Sequence, residues 1–351
     1  METSSNFNIE QMLGKPIDVI DDIIENKDQY VRHIEIPKKD GSKRKILAPA
    51  KHLKYMQKRI NWGILMRYRP SECAHGFVKK RGIVTNATLH VKPKSVGHID
   101  IKNFFDTITV DHLKNCLFGN KNICRFCKNY EGMLSGQCNP SIYKNRTTKF
   151  PHGCEELKAV FIPEYCEKTG YQSLFTRIIE LCTYKGHTAQ GFPTSPYLAN
   201  IVLKGFDKKM VELANENSCV YSRYADDLTF SSKELTKDEL RELFKNKAYR
   251  LLWAFGFTAN KKKTHWKDVG RFKVCGVVIN EKLNIMRKTV RIFRAKVHHA
   301  VVKHATQTTK AHIRKLKGWA SYLMSVNRDK GKKYMNQLLE FEREKWPAEA
   351  A

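Results

Sequence analysis

The chain has 351 residues, long enough for a sizeable core and two or three subdomains, and its 64 Lys and Arg against 35 Asp and Glu leave a net charge of +29. An excess of that sign and size is the footprint of a protein that meets a polyanion, most often nucleic acid, with a membrane surface the weaker alternative. No run of about 18 apolar residues is present to span a bilayer, and the polar start Met-Glu-Thr-Ser-Ser-Asn has no signal-peptide core, so a cytoplasmic protein whose ten cysteines are reduced or bind metal is expected.

Residues 8–30 read as helical and mixed in charge. Residues 31–49 alternate apolar and polar around Asp40-Gly41, a hairpin signal. Leu53, Met56, Ile60, Ile64 and Leu65 recur at helical spacing over 51–68, and Val96–Ile101 reads as a short buried strand carrying Asp100. A helix is expected over 171–184, and a second from Pro196 to about Asn215, entered through Pro193 and Pro196. Residues 221–232 (Tyr-Ser-Arg-Tyr-Ala-Asp-Asp-Leu-Thr-Phe-Ser-Ser) read as strand, tight turn, strand, with Asp226 and Asp227 at the tip. A charged helix follows over 235–255, then a strand over Lys273–Ile279 with a turn at Asn280-Glu281. From about 287 the chain is helical and dense in Lys and Arg, which reads as a phosphate-tracking surface.

A bare Asp-Asp pair is usually a solvated turn. A third acid changes its meaning: Asp100, at the end of an apolar strand, completes a set of hard oxygen donors suited to two divalent cations about 3.5–4 Å apart. One cation would lower the pKa of an attacking hydroxyl and the other would hold a triphosphate, with no nucleophilic residue needed. Gln190-Gly191-Phe192-Pro193-Thr194-Ser195-Pro196 opens a helix through a loop in which Gly191 offers no Cβ to block close backbone approach to a base or sugar.

Taken in order, these segments resemble the blocks of reverse transcriptases: an Asp-bearing strand with aromatics (100–105), Gln-Gly-x-Pro-x-Ser-Pro (190–196), Tyr-Ala-Asp-Asp (224–227), a Gly…Asn…Lys-Thr segment (256–264) and an apolar hairpin strand (273–279). Asn86-Ala87-Thr88-Leu89-His90 is similar to the Asn-Ala-x-x-His block of the bacterial retron branch, and Val274-Cys275-Gly276 stands where retron enzymes carry Val-Thr-Gly, with Cys in place of Thr. The resemblance covers roughly residues 30–330 and implies an α+β right-hand polymerase. Its parts would be an N-terminal helical extension (1–30), fingers (31–95), a palm of antiparallel strands and helices (96–284), and a helical basic thumb (285–351).

The resemblance also implies residue roles. Asp100, Asp226 and Asp227, with the carbonyl of Ile101, would hold two Mg²⁺, for which Mn²⁺ can substitute. Phe105 would exclude a ribose 2′-hydroxyl, and Lys38 and Arg44 would contact the triphosphate. Gln190 and Gly191 would lie at the nucleotide, and Lys263 near the leaving pyrophosphate. Asn86, His90, Tyr224, Ala225, Val274, Cys275 and Gly276 would serve primer and template. The implied partners are a cognate structured noncoding RNA (template and primer), its DNA product and deoxynucleotides. A separate effector protein in anti-phage defence is also implied, and no membrane.

Between Asp100 and Gln190 lie 89 residues, more than a minimal retron enzyme needs, and the surplus falls at about 116–170. There Cys124-Arg-Phe-Cys127 with Cys138 and Cys154, or His152, could close a structural Zn²⁺ tetrahedron. The simpler reading is an irregular basic insertion held by local packing. Two further readings compete with the retron one: another bacterial reverse transcriptase, defence-associated or intron-like, and a silent RNA-binding scaffold, against which the three intact acids argue.

Overall fold

The computed structural model describes residues 9–37, 41, 43–118, 171–303 and 305–347. In chain order it forms α1 (Ile9–Leu13), α2 (Ile17–Glu25), β1 (Val31–Pro37), β2 (Lys43–Pro49), α3 (Lys51–Gly63), α4 (Ile83–Thr88), β3 (Ser95–Asp100) and α5 (Val110–Phe118). After residue 170 come α6 (Tyr171–Cys182), β4 (Thr183–Tyr184), β5 (His187–Thr188), α7 (Ser195–Val202), α8 (Lys204–Glu216), β6 (Val220–Tyr224) and β7 (Asp227–Ser232). The chain continues through α9 (Lys237–Ala254), β8 (His265–Lys267), β9 (Lys273–Val274), β10 (Val277–Val278), α10 (Arg287–His298), α11 (Lys310–Val326) and α12 (Arg328–Lys345). All strand pairs within these sheets are antiparallel, which gives the expected α+β class. Among the described residues no helix is long and apolar enough to cross a membrane.

Two compact units divide the chain. The first comprises Met1–Glu72, Ile101–Lys209 and Ala248–Ala259. Its β1–β2 ribbon is seated by a backbone bond from Leu47 N–H to the Gln190 carbonyl (2.8 Å). Helix α3 buries Leu53, Met56 and Ile60 at the expected spacing. Its Gln57 amide donates to the Leu181 carbonyl near the end of α6 and its Asn61 amide to the Pro193 carbonyl, so α3 holds both α6 and the loop entering α7.

The second unit comprises Cys73–Asp100, Met210–Lys247 and Asn260–Ala351. Its centre is a four-stranded sheet in the order β6-β7-β3-β8. Because side chains alternate between sheet faces, Ile99, Leu228, Phe230 and Tyr221 turn to one side and are buried there. Phe230 lies 4.6 Å, centroid to centroid, from Phe244 of α9. Burying side chains of this size is worth about 1.5–3 kcal/mol each, which makes this face the anchor. The opposite face carries Asp100, His98, Asp227, Thr229, Ser231 and Ser222, so the same alternation that builds the core lines up the polar groups. Helix α9 begins with reciprocal Thr236–Glu239 capping bonds. A second core gathers Val274, Val277 and Ile279 with Phe293, Leu316, Leu323 and Leu338 of α10–α12.

Two sequence expectations are corrected. The helix expected from Pro196 to about Asn215 is two helices, because Leu203 (φ −79°, ψ −2°) leaves helical ψ between α7 and α8. The strand expected over Lys273–Ile279 is instead a hairpin of two-residue strands. Cys275 and Gly276 both have positive φ (49° and 82°), as a two-residue hairpin turn of the primed type requires.

Candidate active site

Strands β6 and β7 are joined by Ala225-Asp226 alone, so Tyr224 faces Asp227 across the hairpin. Asp227 also pairs with Asp100 of β3, which sets two carboxylates side by side on neighbouring strands with the third in the adjoining turn. Directly opposed like charges oppose strand pairing by roughly 0.2–1 kcal/mol, so the surroundings must hold them. Ala225 takes φ +57°, a conformation its β-carbon disfavours. Its carbonyl accepts a hydrogen bond (3.1 Å) from the guanidinium of Arg223, a fully buried side chain. The segment Cys73–His75 runs beside β6, bonded through Arg223 N–H to the Cys73 carbonyl and His75 N–H to the Arg223 carbonyl (both 2.8 Å). Gly76 then packs on the turn so closely that a Cβ there would lie 2.5 Å from Ala225 N.

Each acid has distinct neighbours. Asp100 accepts from Asn260 Nδ2 and from Lys263 Nζ, both at 3.1 Å. Asp227 Oδ1 lies 3.4 Å from His98 Nδ1, and the His98 ring stacks on His265 at 4.8 Å. Asp226 is half-buried, and that burial raises its carboxyl above the usual carboxylate range. Asp100 and Asp227 add to the rise, while its own backbone hydrogen bond and Lys263 oppose it.

This donor set fits a divalent cation. Its ligands are hard oxygens, and a carboxyl held up by burial and by like charge is what a bound cation would relieve. Among the described residues no group of three or more His, Cys, Asp or Glu side chains is gathered closely enough to hold a metal ion by itself. Mg²⁺ does not require one, since it is commonly held by one or two carboxylates plus substrate phosphates.

The remaining expected residues are spread over both units. Tyr224 is half-buried, with its phenol pKa raised by burial and then by Cys275. Asn86, His90 and Val274 are interior side chains, exposed by 0%, 1% and 0%. Cys275 lies in the β9–β10 turn, and burial pushes its thiol up to about 12. Ile101 is buried and bridges Ala259 within the first unit. There too, Phe105 is half-buried beside Phe104, with ring centroids 5.2 Å apart, and its carbonyl accepts from Thr188 Oγ1 (2.7 Å). Gly191 has φ +120°, and the place of its missing Cβ is taken by the Leu47 carbonyl, which a Cβ would approach to 2.4 Å. Its bare backbone therefore accommodates β2, the strand on which Arg44 stands exposed. Lys38 and the candidate zinc cysteines Cys124, Cys127, Cys138 and Cys154 lie outside the described residues.

Sequence reasoning missed His98, Asn260, Arg223 and Gly76 as supports of the acids. His98 was legible in principle, since it stands two residues before Asp100 and so on the same strand face. The other three depend on tertiary contacts that no local pattern announces.

The profile of the reverse transcriptase (RNA-dependent DNA polymerase) family matches residues 36–279. The chain belongs to that family. Curated relatives include the retron Mx162 reverse transcriptase of Myxococcus xanthus, 27% identical over 321 residues that cover 88% of this chain and 60% of that protein. The retron Ec86 reverse transcriptase of Escherichia coli is 27% identical over 310 residues, 87% of this chain and 79% of that one. The chain thus spans about 60% of the length of the Myxococcus relatives it matches. The retron resemblance and the right-hand polymerase fold class expected from the motifs are borne out. Solved structures similar to it include an apo telomerase from Candida tropicalis (TM-score 0.43, 14% identity, 81% of this chain and 63% of that chain). The foamy viral protease–reverse transcriptase with double-stranded DNA is another (TM-score 0.39, 15% identity, 92% and 46%).

Proposed function

We propose that the chain is an RNA-directed DNA polymerase of retron type that copies part of a cognate structured noncoding RNA into DNA by two-metal nucleotidyl transfer. One observation carries the reading: Asp100 and Asp227 stand in register on adjacent strands with Asp226 in the turn between β6 and β7, inside the span that the family profile matches. The chemistry Mg²⁺ supplies when bound there is a lowered pKa at the attacking hydroxyl and neutralised charge on the departing pyrophosphate. Asp100, Asp226 and Asp227, with the Ile101 carbonyl, hold that charge in place. Lys263, which pairs with Asp100, would meet the negative charge as pyrophosphate leaves. Phe105 rejects the 2′-hydroxyl of a ribonucleotide by contact, Lys38 and Arg44 meet the triphosphate, and Gln190 and Gly191 lie at the nucleotide. Tyr224 and Ala225 lie at the primer end, which the β9–β10 hairpin grips.

The thumb role rests on charge. Arg287, Lys288, Arg291, Arg294 and Lys296 are all exposed on α10, whose sequence contains no acid. Such a face tracks phosphates and releases counterions on binding, so affinity for RNA falls steeply with salt. Recognition of the RNA then rests on shape and backbone. Fingers (31–95), palm (96–284) and thumb (285–351) follow as functional divisions, and an effector protein in phage defence is the corresponding partner.

The test is the DNA made in cells that carry the gene with its flanking sequence. Retron chemistry predicts DNA templated by an adjacent structured RNA and joined to it through a 2′-hydroxyl. Unbranched, repetitive or untemplated DNA would reject that chemistry in favour of another reverse transcriptase.

A further inference from the structure

Helix α4 and the four residues after it hold both hairpins of the second unit through two side chains, to which the mechanism gives no internal task, and one backbone bond. His90 is buried and both its ring nitrogens are engaged: Nδ1 lies 2.6 Å from Ser231 Oγ on β7 and Nε2 lies 2.7 Å from Ser222 Oγ on β6. Those serines share a sheet face with Asp227 and Asp100, since Ser222 faces Thr229 and Ser231 faces Val220. In a neutral imidazole one nitrogen donates and the other accepts, and hydroxyls adapt to either role, so one ring bonds both strands at once. Four residues earlier, Asn86 Nδ2 donates to Cys275 Sγ (3.3 Å) at the first position of the β9–β10 turn. Two residues after His90, Lys92 N–H donates to the Ile279 carbonyl (2.9 Å) just beyond β10.

We propose that residues 86–92 form a brace that fixes the spacing between the acid-bearing hairpin and the β9–β10 hairpin, with His90 and Asn86 as positioning residues for nucleotide addition. This rests on the reading of Asp226 and Asp227 as catalytic, and it gives Asn86 and His90 a task that interior side chains can perform. Plain core packing explains the arrangement less well. Burying an imidazole and two hydroxyls carries a desolvation cost that only their mutual bonds offset. Asn86 Oδ1 is also buried with no hydrogen-bond partner, a cost that an apolar residue would avoid. Four bonds from one short segment reach two hairpins, and the acids' geometry depends on one of those hairpins. A displacement of about 1 Å between primer end and acids would cost roughly a hundredfold in rate.

The test uses the purified full chain extending a DNA primer on an RNA template, with nucleotide concentration varied to separate kcat from KM and Tm measured on the same samples. His90→Phe is expected to lower kcat by about a hundredfold with KM little changed. His90→Gln, which keeps one donor and one acceptor, recovers part of it. Adding Ser222→Ala and Ser231→Ala to His90→Phe removes the stranded hydroxyls, so Tm recovers while kcat stays low. Asn86→Ala and Cys275→Ala together lose no more than the worse of the two alone. A folded His90→Phe, or a folded triple variant, with wild-type kcat overturns the brace, and so does strict additivity of Asn86→Ala with Cys275→Ala. If the unaltered chain extends no primer, the catalytic reading falls and the brace with it. If it extends, Asp226→Asn abolishes extension and the brace variants keep their kcat, the brace alone falls.

Discussion

The hairpins β1–β2 and β6–β7 both alternate in sequence, yet their burial is opposite. Along β6 and β7 every residue is buried or half-buried, including Ser222, Arg223, Thr229 and Ser231. Along β1 only Val31 is buried, and the ribbon exposes Ile34 and Ile36 together with Lys43, Arg44 and Lys45. A lone two-stranded ribbon is marginal in water. Bonds and close packing at Gln190 and Gly191 seat its β2 strand, whereas β6–β7 is gripped on one face by Phe244 and on the other by His90. On the proposed function the difference is one of tolerance. Carboxylates that assemble a reaction centre need a fixed place, while cations that meet a flexible polyphosphate need reach and charge more than rigidity.

The largest expected effect comes from loosening the fixed hairpin. Gly76→Ala would push a methyl to 2.5 Å from Ala225 N, so the turn bearing Asp226 must move. A loss of about a hundredfold in kcat is expected in primer extension, since misplacement of that order carries such a cost. Wild-type kcat in a folded Gly76→Ala protein would show that the turn is not held from that side.

Acid acts on the same region. Burial pushes His90 down to about 3, helped by His98 and His75, and pushes His75 down to about 4, helped by Arg81. Both values lie below the unfolded value of about 6.5, so the unfolded chain takes up protons first. Their contribution to stability is therefore complete above about pH 6.5 and is lost as pH falls from there toward 4 and then 3. For His90 the loss is about 1.4 kcal/mol per pH unit inside that window. Urea unfolding across pH 7 to 4 should show the decline, and His90→Gln should make it shallower.

On the ribbon, Gly191→Ala tests the seat. A Cβ 2.4 Å from the Leu47 carbonyl, at a residue with φ +120°, is expected to cost about 1–3 kcal/mol in urea unfolding. Arg44→Ala should leave Tm unchanged and raise the KM for nucleotide. Smallest of all is Glu35→Gln, which breaks an exposed pair with Lys43 (2.7 Å) and should shift stability by less than about 1 kcal/mol. A large destabilisation there would mean that the ribbon is held more firmly than its exposure implies.

Much of this architecture could be read from the sequence because its signals are local. Alternation predicted β1–β2, strand-forming residues on either side of Asp226-Asp227 predicted β6–β7, and apolar spacing predicted α3. Order along the chain, rather than any one motif, linked Asp100 with Asp226 and Asp227. What stayed hidden depends on contacts between distant segments. Nothing near Gly76 announces that it packs on Ala225, and nothing near Asn260 that it bonds Asp100. Val274-Cys275-Gly276 reads as part of an apolar strand until the positive φ of Cys275 reveals a turn. Asn86 and His90 were legible as a motif, but their burial, and hence the way they could act, was not.

The central claim, that two acids on adjacent strands and a third in the adjoining turn carry metal-dependent DNA synthesis on RNA, is tested most directly by Asp226→Asn with Asp227→Asn in the full chain. Primer extension on an RNA template and RNA binding should be measured side by side at fixed salt. Extension should vanish while RNA binding, carried by the basic surface, persists. Undiminished extension by the folded double variant would contradict the account.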